Sequence, residues 1–82
     1  MNKNIATKEF IGNQILDLVT AFPKNNDLFW ELLTRRLLYY KCTEQEVIKG
    51  VYLTIDSVNK DSLSIADVIQ PILEARTIHI VD

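Results

Sequence analysis

The stretch from Asp27 to Cys42, DLFWELLTRRLLYYKC, is the most apolar part of the chain and decides the fold that the sequence predicts. Its apolar residues recur at helical spacing, which predicts a helix over residues 27–41 with Asn26 or Asp27 as the N-cap. A small bundle needs one helix that other helices surround, and this helix is the best candidate. The sequence therefore predicts a compact all-α bundle of about four helices, with helix 27–41 at its centre.

The apolar side chains of this helix cover an unusually wide arc. With ~100° between successive residues, Leu28, Leu32 and Tyr39 lie within about 40° of one another. The rest of an arc ~200° wide holds Phe29, Trp30, Leu33, Leu37 and Tyr40. A surface helix normally has an apolar stripe only a little over ~100° wide. Arg36 falls inside the arc, whereas Leu38 lies off it among polar residues.

Two interpretations of this arc remain open at this point. In the first, the other three helices cover all of it within one chain. In the second, part of it binds another protein or a second copy of the chain. Aromatic and arginine side chains are enriched at binding hot spots, and an arginine on an apolar face needs a partner or must extend to solvent. The candidate partner-binding residues are Trp30, Arg36, Leu38, Tyr39 and Tyr40.

The three other predicted helices have clear starts and stops. The first spans residues 7–21 and ends before Pro23, which disfavours helical geometry in the residue that precedes it. The third begins at Thr43, where TEQE has the pattern of a capping box, and contains Gly50, which marks either a close helix contact or a tolerated defect. The fourth begins after Ser64, with Asp67 as the capping partner.

The last helix and the two ends of the chain are less regular. Pro71 removes a backbone donor, so the fourth helix is expected either to kink there or to stop near Gln70 and restart. The final segment TIHIVD alternates apolar and polar residues and is rich in β-branched types, which predicts a short extended tail. Residues 1–6 and 77–82 are expected to be loosely ordered ends of a single domain spanning residues 1–82.

Composition limits the class of protein. The chain has 82 residues, a formal net charge of −2 and an estimated pI of about 5.3. These values give no general attraction to nucleic acid or to anionic membranes. A single cysteine cannot form an internal disulfide, no apolar run approaches ~20 residues, and the first ten residues lack the apolar core of a signal peptide. The sequence therefore predicts a cytoplasmic protein with no membrane contact.

The residues needed for catalysis are sparse. His79 and Cys42 are the only histidine and cysteine, and two isolated glycines cannot form a phosphate-binding loop. Metal sites need three or four ligands with suitable spacing, which the sequence does not supply. Two acidic pairs, Glu44 with Glu46 and Asp61 with Asp67, are better explained as helix-start charges. We therefore expect no enzyme activity, no cofactor and no metal.

Nucleic-acid binding is disfavoured but has one supporting pattern. Helix 27–41 mixes basic and aromatic types, as surfaces that stack on bases do, at Arg35, Arg36, Lys41, Tyr39 and Tyr40. Glu31 lies four residues before Arg35, however, and an intrahelical ion pair explains that arginine equally well.

One family likeness runs from FIGNQILDLVTAFP (residues 10–23) through LSIADVIQPI (residues 63–72). This part resembles the small helical domain of helicase-loader, or replisome-organiser, proteins of phages and mobile elements. The shared features are Phe22-Pro23 closing the first helix, Trp30 in the second, and SIADVI at residues 64–69. The family typically has Pro before this last motif, where this chain has Leu63. The resemblance implies binding to a replicative helicase or an initiator, and it transfers no catalytic residue.

The sequence thus predicts a non-catalytic protein–protein interaction module that binds through apolar surface on or beside helix 27–41. Its partner is expected to be another protein or a second copy in a homodimer. The alternative is an accessory role in DNA replication, with some nucleic-acid contact.

Overall fold

The computed structural model describes the backbone of residues 4–81 and the side chains of residues 4–76. Four helices make up this part of the chain: α1 (Lys8–Ala21), α2 (Asp27–Tyr39), α3 (Glu44–Ser57) and α4 (Ile65–Val81). The described residues contain no strand, and the predicted all-α bundle of four helices is confirmed.

Each helix begins at a side chain that caps its first free N–H groups. Thr7 Oγ1 accepts from the Phe10 N–H at 3.1 Å, and Asn26, rather than Asp27, caps α2 by accepting from Phe29 at 2.9 Å. The predicted capping box is present at α3, where Thr43 and Glu46 bond reciprocally at 3.1 and 3.0 Å. Such caps each contribute about 1 kcal/mol and fix where the chain enters the helix.

The end of α2 lies two residues before the predicted end at Lys41. Tyr40 is the C-cap, and Lys41 has a φ of 52°, in the left-handed region that a side chain disfavours. The backbone N–H of Cys42 then donates to the Leu37 carbonyl at 3.3 Å. This turn redirects the chain into α3 without a glycine.

The helices form a closed ring in the order α1, α2, α4, α3, because α1 and α4 each pack against both α2 and α3. This arrangement corrects the expected central position of helix 27–41, since α2 is one of four helices around a shared core. Only Trp30, Leu33 and Leu37 of α2 are buried. The apolar core also includes Ile11, Ile15, Leu18, Phe22, Val47, Val51, Val68, Ile69 and Ile72.

Helices α3 and α4 approach closely at Gly50. A Cβ atom at this position would lie 2.8 Å from Ile72 Cδ1 and 3.0 Å from Ile72 Cγ1, which is closer than carbon atoms pack. The close-contact interpretation of Gly50 therefore holds, and the tolerated-defect interpretation does not. Gly12, by comparison, has no heavy atom within 4 Å of the corresponding position.

Pro71 lies inside α4, which continues through it, so the helix does not stop at Gln70. Proline has no N–H to donate to the carbonyl of Asp67, four residues earlier. The buried Thr54 hydroxyl of α3 lies 3.4 Å from that carbonyl oxygen and 2.7 Å from the Gly50 carbonyl, to which it donates. A neighbouring helix thus places a polar group beside the carbonyl that proline leaves without its usual donor.

At the N-terminal end of the described chain, residues 4–6 are not the loose tail that the sequence predicts. The Ala6 N–H donates to the Cys42 carbonyl at 2.9 Å, and the Glu44 N–H donates to the Asn4 carbonyl at 2.8 Å. Ala6 is buried, so residues 4–6 pack against the start of α3. The backbone of residues 77–81 is helical rather than extended, because α4 satisfies its N–H groups internally where a lone strand would lack a partner. Residues 1–3 and 82 lie outside the described chain.

A pair of matched substitutions tests the close contact at Gly50. We expect Gly50→Val to lower the free energy of unfolding by about 1–3 kcal/mol, because the branched side chain must displace Ile72. Gly12→Val, in the exposed part of α1, should change it by less than about 0.5 kcal/mol. Urea denaturation followed by circular dichroism measures both. Equal effects at the two positions would contradict the close contact.

A capping carboxylate at the start of α4 predicts a pH dependence. Asp67 Oδ2 accepts from the Ser64 N–H at 2.9 Å and lies 3.0 Å from Lys60 Nζ. The backbone hydrogen bond, and secondarily Lys60, lower the pKa of Asp67 from its ordinary 3.8. A lowered pKa in the folded state stabilises the fold above the unfolded value, and this stabilisation is lost as pH falls through the folded value.

We therefore expect the stability difference between the wild type and Asp67→Asn to be constant near neutral pH and to shrink below about pH 4. Chemical denaturation of both proteins from about pH 6 to about pH 2 measures this difference. A difference that stays the same throughout would mean that the Asp67 charge does not stabilise the start of α4.

Candidate protein interface

Three large apolar side chains lie on the solvent side of α2. Leu28 is 74% exposed, Tyr39 is 69% exposed and Leu32 is 47% exposed. They recur at the i, i+4 and i+11 positions of one helix, which places them within about 40° of one another. We call Leu28, Leu32 and Tyr39 the outer face of α2.

The outer face lies nearly opposite the part of α2 that enters the core. The buried stripe of Trp30, Leu33 and Leu37 is centred ~150° from the outer face around the helix axis. The wide apolar arc of the sequence is therefore two stripes, of which the bundle covers one. Leu38 is 37% exposed and lies on the flank between them.

Arg36 borders the outer face and is held by two tyrosines. Its guanidinium carbon lies 4.9 Å from the centre of the Tyr39 ring and 5.2 Å from that of Tyr40. Its Nη2 also donates to the Tyr40 hydroxyl at 3.1 Å. The two rings meet edge to face at 5.2 Å. Cation–π contacts of this kind restrain long side chains, so this end of the outer face is partly ordered before any partner binds.

Glu31 and Arg35 form the other border. Their side chains pair at 3.2 Å in the i, i+4 arrangement, and both are well exposed. A pair this exposed contributes only a few tenths of a kcal/mol to stability. Both charges therefore remain accessible beside the outer face.

The C-terminal end of α2 is anchored by Arg76 of α4. Its Nε and Nη2 donate to the Glu46 carboxylate at 2.8 Å each, and Nη2 also donates to the Tyr40 carbonyl at 3.0 Å. The Glu46 hydrogen bonds raise the pKa of Arg76. Cys42, which follows Tyr40, is buried, and this burial raises the pKa of its thiol. These contacts fix the position of Tyr40 and, through it, of Arg36.

The structure separates the five predicted binding residues. Trp30 is 8% exposed and packs edge to face against Phe29, so it belongs to the core rather than to a surface. Tyr40 and Arg36 are half-buried, whereas Tyr39 and Leu38 are exposed. Leu28 and Leu32 were missing from the predicted set. Their angular proximity to Tyr39 was already visible in the sequence and was the signal that could have identified them.

Other sites for chemistry are scarce in the described part of the chain. No group of three or more His, Cys, Asp or Glu side chains there could hold a metal ion, and the side chain of His79 lies outside it. A mainly apolar groove of about 200 Å³ lies between α3 and α4, where Gly50, Leu53 and Ile72 contribute to its walls. Its carboxylate, Glu46, is already paired with Arg76. None of the helices described is long and apolar enough to cross a bilayer.

No family model, curated protein or solved structure matches the chain.

Substitutions on the exposed and buried sides of α2 should change stability by very different amounts. We expect Leu28→Gln and Leu32→Gln each to change the free energy of unfolding by less than about 0.5 kcal/mol, since leucine and glutamine have similar helix propensities and both sites are exposed. Trp30→Ala and Leu33→Ala should each cost about 2–5 kcal/mol, because both leave cavities in the core. Urea denaturation at low protein concentration measures all four. A large loss from the glutamine variants would show that the outer face is part of the monomer core.

Proposed function

We propose that the protein is a non-catalytic protein–protein interaction module that binds its partner through the outer face of α2, with Arg36 at one border and Leu38 on the flank. One observation carries this proposal: α2 has a second apolar stripe that the bundle leaves exposed. Covering apolar surface is favourable by about 25 cal/mol per Å², and aromatic and arginine side chains are common at the energetic centre of interfaces. The stripe combines these features on a rigid helix.

Among the side chains that the structure describes, the other exposed large apolar residues do not form a comparable stripe on one helix. Leu16 lies on α1, Ile5 precedes it, and Tyr52 and Leu53 lie on α3. Tyr52 and Leu53 are consecutive, so their side chains diverge by ~100° around the helix. Single exposed apolar residues are normal on protein surfaces. The grouping of Leu28, Leu32 and Tyr39 is what favours α2.

The remaining parts of the functional prediction stay predictions. The helicase-loader likeness of residues 10–72 would make a replicative helicase or an initiator the partner of the outer face. We also propose, from the sequence, that the protein is cytoplasmic and has no enzyme activity. The net charge of −2 supports a protein partner over nucleic acid.

Site-specific photocrosslinking in cells that make the protein tests the proposal with a matched control. Benzoylphenylalanine is introduced in place of Leu32 on the outer face, or in place of Leu16, an exposed leucine on α1. We expect Leu32→benzoylphenylalanine to give a discrete adduct, with either another protein or a second copy. The same substitution at Leu16 should give none. No adduct from position 32, or the same adducts from both positions, would contradict the proposal.

A further inference from the structure

We propose that the occupant of the outer face is a second copy of this chain, bound as an antiparallel pair of α2 helices about a two-fold axis near residue 33. This inference rests on the proposed function and specifies its partner. A two-fold interface brings the same surface of both copies together, so that each contact between residues i and j occurs twice. The outer face of α2 is complementary to itself in this way, both in the spacing of its apolar residues and in the charges beside it.

The apolar residues of the outer face complement themselves about such an axis. With a rise of ~1.5 Å per residue, Leu28 lies ~7.5 Å to one side of residue 33 and Tyr39 lies ~9 Å to the other. Antiparallel pairing therefore places Leu28 beside the partner's Tyr39, and each Leu32 meets its own counterpart near the axis. The large aromatic ring is matched with the exposed leucine, and the apolar stripe is covered along its length.

The charges beside this stripe also complement themselves. In an antiparallel pair, the two-fold axis brings the same edge of both helices together, as in antiparallel coiled coils. Glu31 and Arg35 share one edge and are equidistant from residue 33, so Glu31 lies level with the partner's Arg35. Their present pair, at 3.2 Å, would extend into a cluster of four alternating charges. Charge complementarity of this kind determines orientation and register.

Parallel pairing is disfavoured by the same residues. A parallel two-fold pair brings opposite edges of the helices together at the same height. Arg36 of one copy would then lie close to the partner's Arg35, two like charges beside an apolar contact. In the antiparallel arrangement the two Arg36 residues share the opposite edge, where they lie ~9 Å apart along the helix axes. Each stays stacked on its own Tyr39 and Tyr40.

The size of the contact predicts its strength. Helix α2 has 13 residues and is therefore ~20 Å long, so one helix pair makes a small interface. Interfaces that bury less than about 1,200 Å² are typically weak and transient. We expect a concentration-dependent dimer with a dissociation constant in the micromolar range rather than an obligate one.

Charge reversal tests the antiparallel register. Sedimentation velocity is measured on purified wild type, Glu31→Arg, Arg35→Glu and the double variant, at about 10–500 µM. Each single variant places four like charges along the shared edge, and we expect its dissociation constant to rise at least about tenfold. An equimolar mixture of the two single variants should form a heterodimer, because each supplies the charge that the other lacks. The double variant should dimerise like the wild type.

Several outcomes would overturn the inference. These are single variants that dimerise like the wild type, a mixture that stays monomeric, and a double variant that is not restored. Thermal melts of each variant check that it is folded. We expect all of them to fold, because the Glu31 and Arg35 side chains are exposed. If the wild type is monomeric at every concentration measured, the proposal that a second copy binds the outer face is wrong. The proposed function would survive that result only if position 32 crosslinks to a different protein.

Discussion

The contact between Arg76 and Glu46 joins three parts of the bundle that are distant in sequence. Arg76 comes from α4, Glu46 from the first turn of α3, and the Tyr40 carbonyl, which Arg76 also binds, from the end of α2. Glu46 additionally accepts from the Thr43 N–H in the capping box. The Glu46 carboxylate therefore caps the start of α3 and also holds α4 against it through Arg76. Because these groups are partly shielded from water, their hydrogen bonds are stronger than those of the exposed pairs.

This constraint also determines which surface α2 presents to solvent. Tyr40 is held through its backbone, so its ring has a defined position beneath Arg36. Arg36 in turn lies over the Tyr39 ring. Rotation of α2 about its own axis would move Trp30, Leu33 and Leu37 out of the core and break the Arg76 contact. The orientation that buries these three residues is therefore also the one that exposes Leu28, Leu32 and Tyr39. Core packing and surface exposure in α2 are two results of the same restraint.

Local signals in the sequence predicted most of the fold. Thr43 with Glu46, Ser64 with Asp67, and Pro23 each act within a few residues, so helix starts and one helix end could be read directly. Predictions that depended on packing were less successful. The position of α2 in the bundle, the role of Gly50 and the burial of Trp30 all depend on which helix lies opposite, and periodicity within one helix does not contain that information. Helix patterns also gave no sign that Asn4 and Ala6 would pair with the segment around Cys42, a contact that depends on tertiary structure alone.

The residues of the candidate interface were also hard to predict from the sequence, because their exposure depends on how α2 packs. The sequence gives the angle of every residue around α2 but not the direction of the core, so one wide arc could not be divided into a buried and an exposed half. The enrichment of aromatic residues at binding hot spots then favoured Trp30, which is buried in the core. It did not favour Leu28 and Leu32, which are exposed. Once the direction of the core is known, the division follows from the ~100° spacing alone.

The meeting of α3 and α4 at Gly50 and Ile72 has a consequence for how this sequence can vary over evolution. The space that a side chain at position 50 would need is occupied by the end of the Ile72 side chain. A larger residue at position 50 would therefore be acceptable only together with a smaller one at position 72. In any set of related sequences these two positions should covary in volume, which would record the distance between the two helices.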